Sequence, residues 1–222
     1  MRQIFLDTET TGLDPNQGHR VIEIAAVEMN NRQLTTNHYH TYLNPGRNID
    51  PAAQEVHGIT LDFLQDKPIF KDIAVEFLNF IKDSEIIIHN APFDVGFLNM
   101  ELEKISFDKL EIHSVSIFDS LKLAKEIRPG QRNNLDALCR SYNIDNTSRS
   151  FHGALLDAQL LGDVYIAMTR GQEAFSIDFA QSSHNINLED VDQDGLIVTT
   201  PNNSELQAHK DYISSLETPD NQ

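Results

Sequence analysis

Positive charge is scarce in this chain: 17 Lys and Arg stand against 34 Asp and Glu, a formal net charge of −17 over 222 residues. Such a surface repels polyanions at long range and offers few contacts to phosphates, so weak unaided affinity for free nucleic acid is expected. Cysteine is nearly absent. Its one example, Cys139, rules out an internal disulfide and fits a reducing compartment. No apolar run approaches the ~20 residues of a membrane-spanning helix. Met1-Arg2 leads straight into an apolar strand, leaving no room for a signal peptide. The expectation is a cytoplasmic protein with no membrane partner. No internal repeat is visible, and the length suits one sizeable core plus an appendage.

Acids are plentiful, and their placement is informative. Ile4-Phe5-Leu6 predicts a strand that runs into Asp7-Thr8-Glu9-Thr10-Thr11-Gly12-Leu13. The two-residue period of a strand points Asp7 and Glu9 from one face, where two carboxylates either repel or share a hard cation. By itself the segment reads more readily as a strand entering a polar turn. Ile86-Ile87-Ile88 is a second short buried strand, followed by His89-Asn90-Ala91-Pro92-Phe93-Asp94 and a helical pattern. Pro92 suits the first helical turn. Asp94 heads a face continued by Leu98, Leu102 and Ile105, where an acid is costly unless something pairs with it. A helix-capping role is the plainer alternative. Phe151-His152-Gly153-Ala154-Leu155-Leu156-Asp157 repeats the anomaly, with Leu161, Val164 and Met168 beneath Asp157 and His152 in the loop that enters the helix.

The order, spacing and flanks of these three segments resemble the three motifs of the DEDDh exonuclease family, an α/β class with the RNase H-like three-layer fold and a mixed central sheet. Val56-His57-Gly58-Ile59, Asn133-Asn134-Leu135-Asp136-Ala137-Leu138-Cys139 and Ile144-Asp145-Asn146 extend the likeness over residues 1 to about 170, toward the proofreading branch that serves bacterial DNA polymerase III. The resemblance implies two divalent ions, Mg2+ or Mn2+. Asp7 would bridge both, Glu9 and Asp157 would complete the first site, and Asp94 would hold the second. His152 would be the general base. Asp7, Glu9, Leu13, Ala52, His57, Phe93 and Asp157 would contact the 3′-terminal nucleotide of DNA that is single-stranded or frayed. For Leu13 and Phe93, ordinary core packing is an equal alternative.

A boundary falls near residue 171, giving an expected nuclease domain at 1–170 and a tail at 171–222 with ten acids and one Lys. Its apolar residues are too sparse for a core, and Gln181 to Asn185 and Pro201 to Ser204 read as linker, so the tail is expected to be mostly flexible when alone. Gln172 and Phe175 resemble a short sliding-clamp peptide. Gly195 to Val198 and Leu206 to Leu216 resemble a tether to the polymerase catalytic (alpha) subunit, with a terminal strand and helix as the plainer alternative. A small theta-type subunit stays open. Two rivals also stand: a DEDDh enzyme that trims RNA, and a non-catalytic replisome adaptor.

Within the core, strands are predicted at Val21 to Val27, Leu34 to Leu43 and Ser114 to Phe118, with a turn at Asn30-Asn31, and helices at 70–81 and 119–128.

Overall fold

The computed structural model describes residues 2–147, 151–170 and 201–216. The chain divides into two units, Met1–Ser176 and Ile177–Gln222. The first holds a five-stranded sheet of order β3-β2-β1-β4-β5, with β1 Arg2–Thr10, β2 Val21–Asn30, β3 Gln33–Tyr42, β4 Glu85–Ile88 and β5 Ser116–Asp119. Pairing is antiparallel from β1 to β2 and β2 to β3, and parallel from β1 to β4 and β4 to β5, so the sheet is mixed. The helices are α1 Pro51–His57, α2 Leu61–Leu64, α3 Phe70–Ile81, α4 Ala91–Lys104, α5 Leu110–His113, α6 Ser120–Ile127, α7 Leu135–Tyr142 and α8 Ala154–Thr169.

Alternation along β1 sets the layers. Ile4 and Leu6 pack with Ile24, Ala26, Ile86 and Ile88 against Phe77 and Ile81 of α3 and Phe97, Leu98 and Leu102 of α4. Phe5 turns the other way with Met29 and Ile87, toward Leu161 of α8, and Ala25 and Val27 meet Ala154 and Ala158 of the same helix. As the middle strand, β1 is covered on both faces, which explains its unbroken apolar run. A Cβ on Gly162 would lie 2.7 Å from Leu34 Cδ2, so glycine there lets α8 lie close to β3. Full burial of Phe77 contributes about 1.5 to 3 kcal/mol, and Phe77→Ala, with its cavity, would cost about 3 to 5.

The 3.6-residue period places α3 at Phe70–Ile81 as expected. The turn falls one residue later than predicted, at Asn31 and Arg32, because Asn30 still pairs in β2 with Gln33; both turn residues have positive φ (49° and 62°), which suits a tight hairpin between twisted strands. The fifth strand lies slightly later than predicted, at Ser116–Asp119, because Leu110–His113 forms a helical turn and Val115 N–H is drawn to the Ser84 carbonyl. Asp119 ends that strand and caps α6, accepting from Leu121 N–H at 3.0 Å.

In the second unit, Asn203–Leu216 forms a helix, α9. Pro201 to Ser204 reads as linker by composition, yet Asn202 accepts from Glu205 N–H at 3.0 Å while Glu205 accepts from Asn202 N–H at 2.9 Å. That reciprocal pair is a capping box, and it starts the helix at Asn203. Gln172, Phe175 and Gly195 to Val198 lie outside the described residues.

Candidate active site

The sequence-predicted acids gather at the end of β1. Asp7 and Glu9 follow Phe5 on the α8 side of the sheet, and the β1–β2 register shifts between Glu9 and Thr10, bending the strand where the acids stand. Glu9, His152 and Asp157 each bring a ligating atom within 4.8 Å of the others, a cluster able to hold a metal ion. Asp7 keeps a little open surface, yet burial first, then the charges of Asp94, Glu9, Asp157 and Glu23, raise its carboxyl well above the usual range.

Asp94 arrives from the opposite helical layer. Asn90, in the left-handed region at φ 73°, starts α4, and Pro92 occupies its first turn. Asp94 is 3% exposed. Its partner is Thr8, whose N–H and hydroxyl both donate to Asp94 Oδ1, at 3.1 and 2.7 Å. Burial still pushes this carboxyl up to about 7 against the two Thr8 bonds, which pull it down.

His152 is held by its backbone. Its N–H donates to the Val56 carbonyl at 3.1 Å, and its Nδ1 lies 3.6 Å from Asp157 Oδ2. Gly58 ends α1 at φ 71°, and a Cβ there would come within 3.1 Å of the Phe151 ring. The Val56-His57-Gly58 segment is therefore the seat of the loop that carries His152. His57 is buried, its Nδ1 accepts from Ile59 N–H at 3.0 Å, and burial lowers its pKa, with the nearby His152 adding to the effect.

An apolar-walled cleft of about 410 Å3 opens beside the acids, lined among others by Thr8, Glu9, Leu13, Ala52, His57 and Phe93. Of the residues named for nucleotide contact, Glu9, Leu13, Ala52, His57 and Phe93 line this cleft, whereas Asp7 and Asp157 do not line it but stand near Glu9. Leu13 is 83% exposed, so core packing does not explain it. Phe93 does both, packing on the core and meeting the Phe97 ring at 5.0 Å with a 50° tilt while lining the cleft. His19 braces the Leu13 loop. Its buried ring lies 3.1 Å from Thr11 Oγ1 and 3.5 Å from Asp50 Oδ2, and a Cβ on Gly12 would sit 2.3 Å from it.

Sequence reasoning missed three contributors. Thr8 lay unmarked between two acids, although its place on the opposite face of β1 aims it at α4. Glu23 looked like one polar residue in an apolar strand, and His19 like a loop residue. The Asn133 agreement has a physical reason in its side chain, whose Nδ2 donates to the Arg128 and Gln131 carbonyls at 3.1 Å and so holds the loop whose Asn133 carbonyl lies 2.8 Å from His89 Nε2.

The family model described as Exonuclease matches residues 4–165. DNA polymerase III subunit epsilon of Rickettsia felis is 46% identical over 222 residues, covering 97% of each chain, and that of Pasteurella multocida is 44% identical, covering 96% of this chain and 88% of its own. The Salmonella typhimurium subunit is 51% identical over 180 residues, 79% of this chain and 74% of its own. The chain belongs to the DNA polymerase III subunit epsilon family. Its fold is that of solved DEDDh nucleases. Exonuclease X in complex with 5′ overhanging duplex DNA superposes with a TM-score of 0.61 at 23% identity, covering 77% of this chain and 93% of that one. The nuclease domain of 3′hExo, a DEDDh family member bound to rAMP, gives 0.66 at 17%, covering 77% and 92%. The epsilon-family protein is a nuclease of RNase H-like fold. Among the described residues, no helix is long and apolar enough to cross a membrane.

Proposed function

We propose that this epsilon-family chain removes mispaired nucleotides from DNA 3′ ends as 5′-monophosphates, with Asp7, Glu9, Asp94 and Asp157 as metal ligands and His152 as general base. The observation that carries the reading is the convergence of these acids and one half-exposed histidine around the end of β1, beside a nucleotide-sized cleft. The donor set is dominated by carboxylate oxygen, which suits hard cations such as Mg2+ and Mn2+, and the raised Asp7 carboxyl marks a concentration of negative charge that cations would relieve. Two such ions, when bound, would acidify a water and stabilise the departing 3′ oxygen.

The chain's own groups do the rest. Thr8 holds one oxygen of Asp94 and leaves the other for a ligand. His152, held by Val56 and half open to solvent, takes the proton from the attacking water. Leu13 and Phe93 offer apolar walls to a base, His57 offers a neutral imidazole, and an end that is already frayed enters at least cost because its unpairing is already done. Selectivity for mismatches follows from ease of melting.

Net charge argues that DNA is delivered rather than captured, and the relatives' name, DNA polymerase III subunit, identifies the complex. We assign contact with the polymerase alpha subunit and the sliding clamp to residues 171–222, the clamp contact resting on Gln172 and Phe175. The test is digestion of a 3′-labelled mismatched DNA primer with Mg2+ or Mn2+, beside the RNA of the same sequence. Faster release of the mismatched than the paired DNA terminus supports the proposal. Preference for RNA, or no metal-dependent release, overturns it.

A further inference from the structure

We propose that Glu23 is a positioning residue for the nuclease site, acting as the helix cap that α8 cannot supply for itself. The inference rests on the assignment of His152 and Asp157 made above. Helix α8 begins at Ala154, and its N-cap is Gly153, which has no side chain to accept from the first-turn N–H groups. The acceptor comes instead from the sheet. Glu23, on β2 directly opposite Glu9, is 2% exposed, and its Oε2 accepts from Ala154 N–H at 3.2 Å. A carboxylate at a helix N-terminus is also favoured by the helix dipole. The other oxygen, Oε1, lies 2.7 Å from His40 Nε2 on β3. Both oxygens are thereby engaged within the protein, which separates Glu23 from the acids that face the cleft.

Its place explains why a carboxylate is kept in so negative a neighbourhood. The capped turn lies between His152 and Asp157, and Asp157 N–H closes that turn on the Gly153 carbonyl at 3.0 Å. Beside the bond from β2, the turn meets the sheet through the packing of Ala154 and Ala158 on Ala25 and Val27, small side chains that hold its register less firmly than a directed bond. Without that bond, His152 and Asp157 would lose their common register with Glu9, and a misplacement of about 1 Å is enough to cost about 10²-fold in rate.

The experiment compares full-length wild type with Glu23→Gln, Glu23→Ala, Ala154→Pro, the Ala/Pro double variant and Asp157→Ala. Release of the labelled mismatched primer nucleotide gives kcat and KM, and thermal melting with and without Mg2+ gives folding and metal binding. Proline is accepted at the first helical position and deletes the N–H that Glu23 holds. Glu23→Gln keeps an acceptor for that N–H. The proposal expects Glu23→Ala and Ala154→Pro to fold, to lose about 10²-fold in kcat with KM little changed, and to show a smaller Mg2+-induced rise in melting temperature. It expects the double variant to be no worse than either single, since both cut one bond. Glu23→Gln should stay near wild type. Wild-type kcat in both Glu23→Ala and Ala154→Pro, additive losses in the double variant, or a Gln variant as slow as the Ala variant would each overturn the inference while an inactive Asp157→Ala left the site assignment standing. An active Asp157→Ala would overturn the site assignment itself.

Discussion

Replacing Asp94 by Asn should stabilise the metal-free protein at alkaline pH while destroying the nuclease. Asp94 is buried, and burial pushes its carboxyl up to about 7 from the ordinary 3.8. Between those two values the folded chain binds more protons than the unfolded one, so the charge on Asp94 subtracts stability as pH rises from about 4 and the full cost is present above about 7. At about 1.36 kcal/mol per unit, the gap between 3.8 and about 7 sets an upper bound of about 4 kcal/mol. Asn is the right perturbation because its Oδ1 can still accept both Thr8 bonds, so only the charge is removed. For a core of this size the gain corresponds to a melting temperature higher by about 5 to 15 °C. The assay is thermal melting in EDTA at pH 4 and pH 8. The two proteins should melt nearly together at pH 4, and the variant should melt higher at pH 8. Mg2+ should then raise wild type alone, by about 2.7 kcal/mol at a hundred times its dissociation constant, and narrow the gap. Equal melting at pH 8 without metal, or a variant that melts lower, would refute the view that Asp94 is held at a cost until a cation arrives.

Alanine at Asp7, Glu9 or Asp157 should abolish metal-dependent release from a 3′ end with the fold retained by circular dichroism, and near-normal turnover in any of them removes that residue from the ligand set. His152→Ala should lower kcat by about 10² to 10⁴ and erase the acidic limb of the pH profile with the Mg2+-induced melting shift kept, whereas loss of that shift would make it a ligand. Gly12→Ala places a Cβ 2.3 Å from the buried His19 ring, so the Leu13 loop must move: KM for primer should rise more than kcat falls, and an unchanged KM would show that the loop does not grip the substrate. A chain ending at residue 170 should stay a folded nuclease in a melting and digestion assay but fail to copurify with the polymerase alpha subunit, and equal retention would place the attachment on the core.

The acids were legible in the sequence because each breaks a pattern: Asp94 and Asp157 head apolar helical stripes, and Asp7 and Glu9 interrupt a strand. Helix α3 was legible for the complementary reason, an unbroken stripe from Phe70 to Ile81. What could not be read were partnerships that depend on register between distant strands. Glu23 meets Glu9 only because β1 and β2 pair antiparallel with one particular offset, and Ala154 N–H reaches it from 131 residues away. Thr8 was hidden by its own neighbours, since two adjacent acids drew attention to the opposite face of the same strand. The start of α9 was missed because Asn and Ser favour loops and helix caps alike, and only the reciprocal bonds between Asn202 and Glu205 tell the two apart.

Each layer of the core holds part of the site: the sheet brings Asp7 and Glu9, one helical face Asp94, the other Asp157. Synthesis makes the first of these acids almost at once and the last 150 residues later. A nascent chain whose sheet and first helical layer have already closed still lacks Asp157, so it carries an unfinished blade. On the ligand set proposed above, cutting power would arrive only with the docking of α8, the helix that carries the last of the four acids.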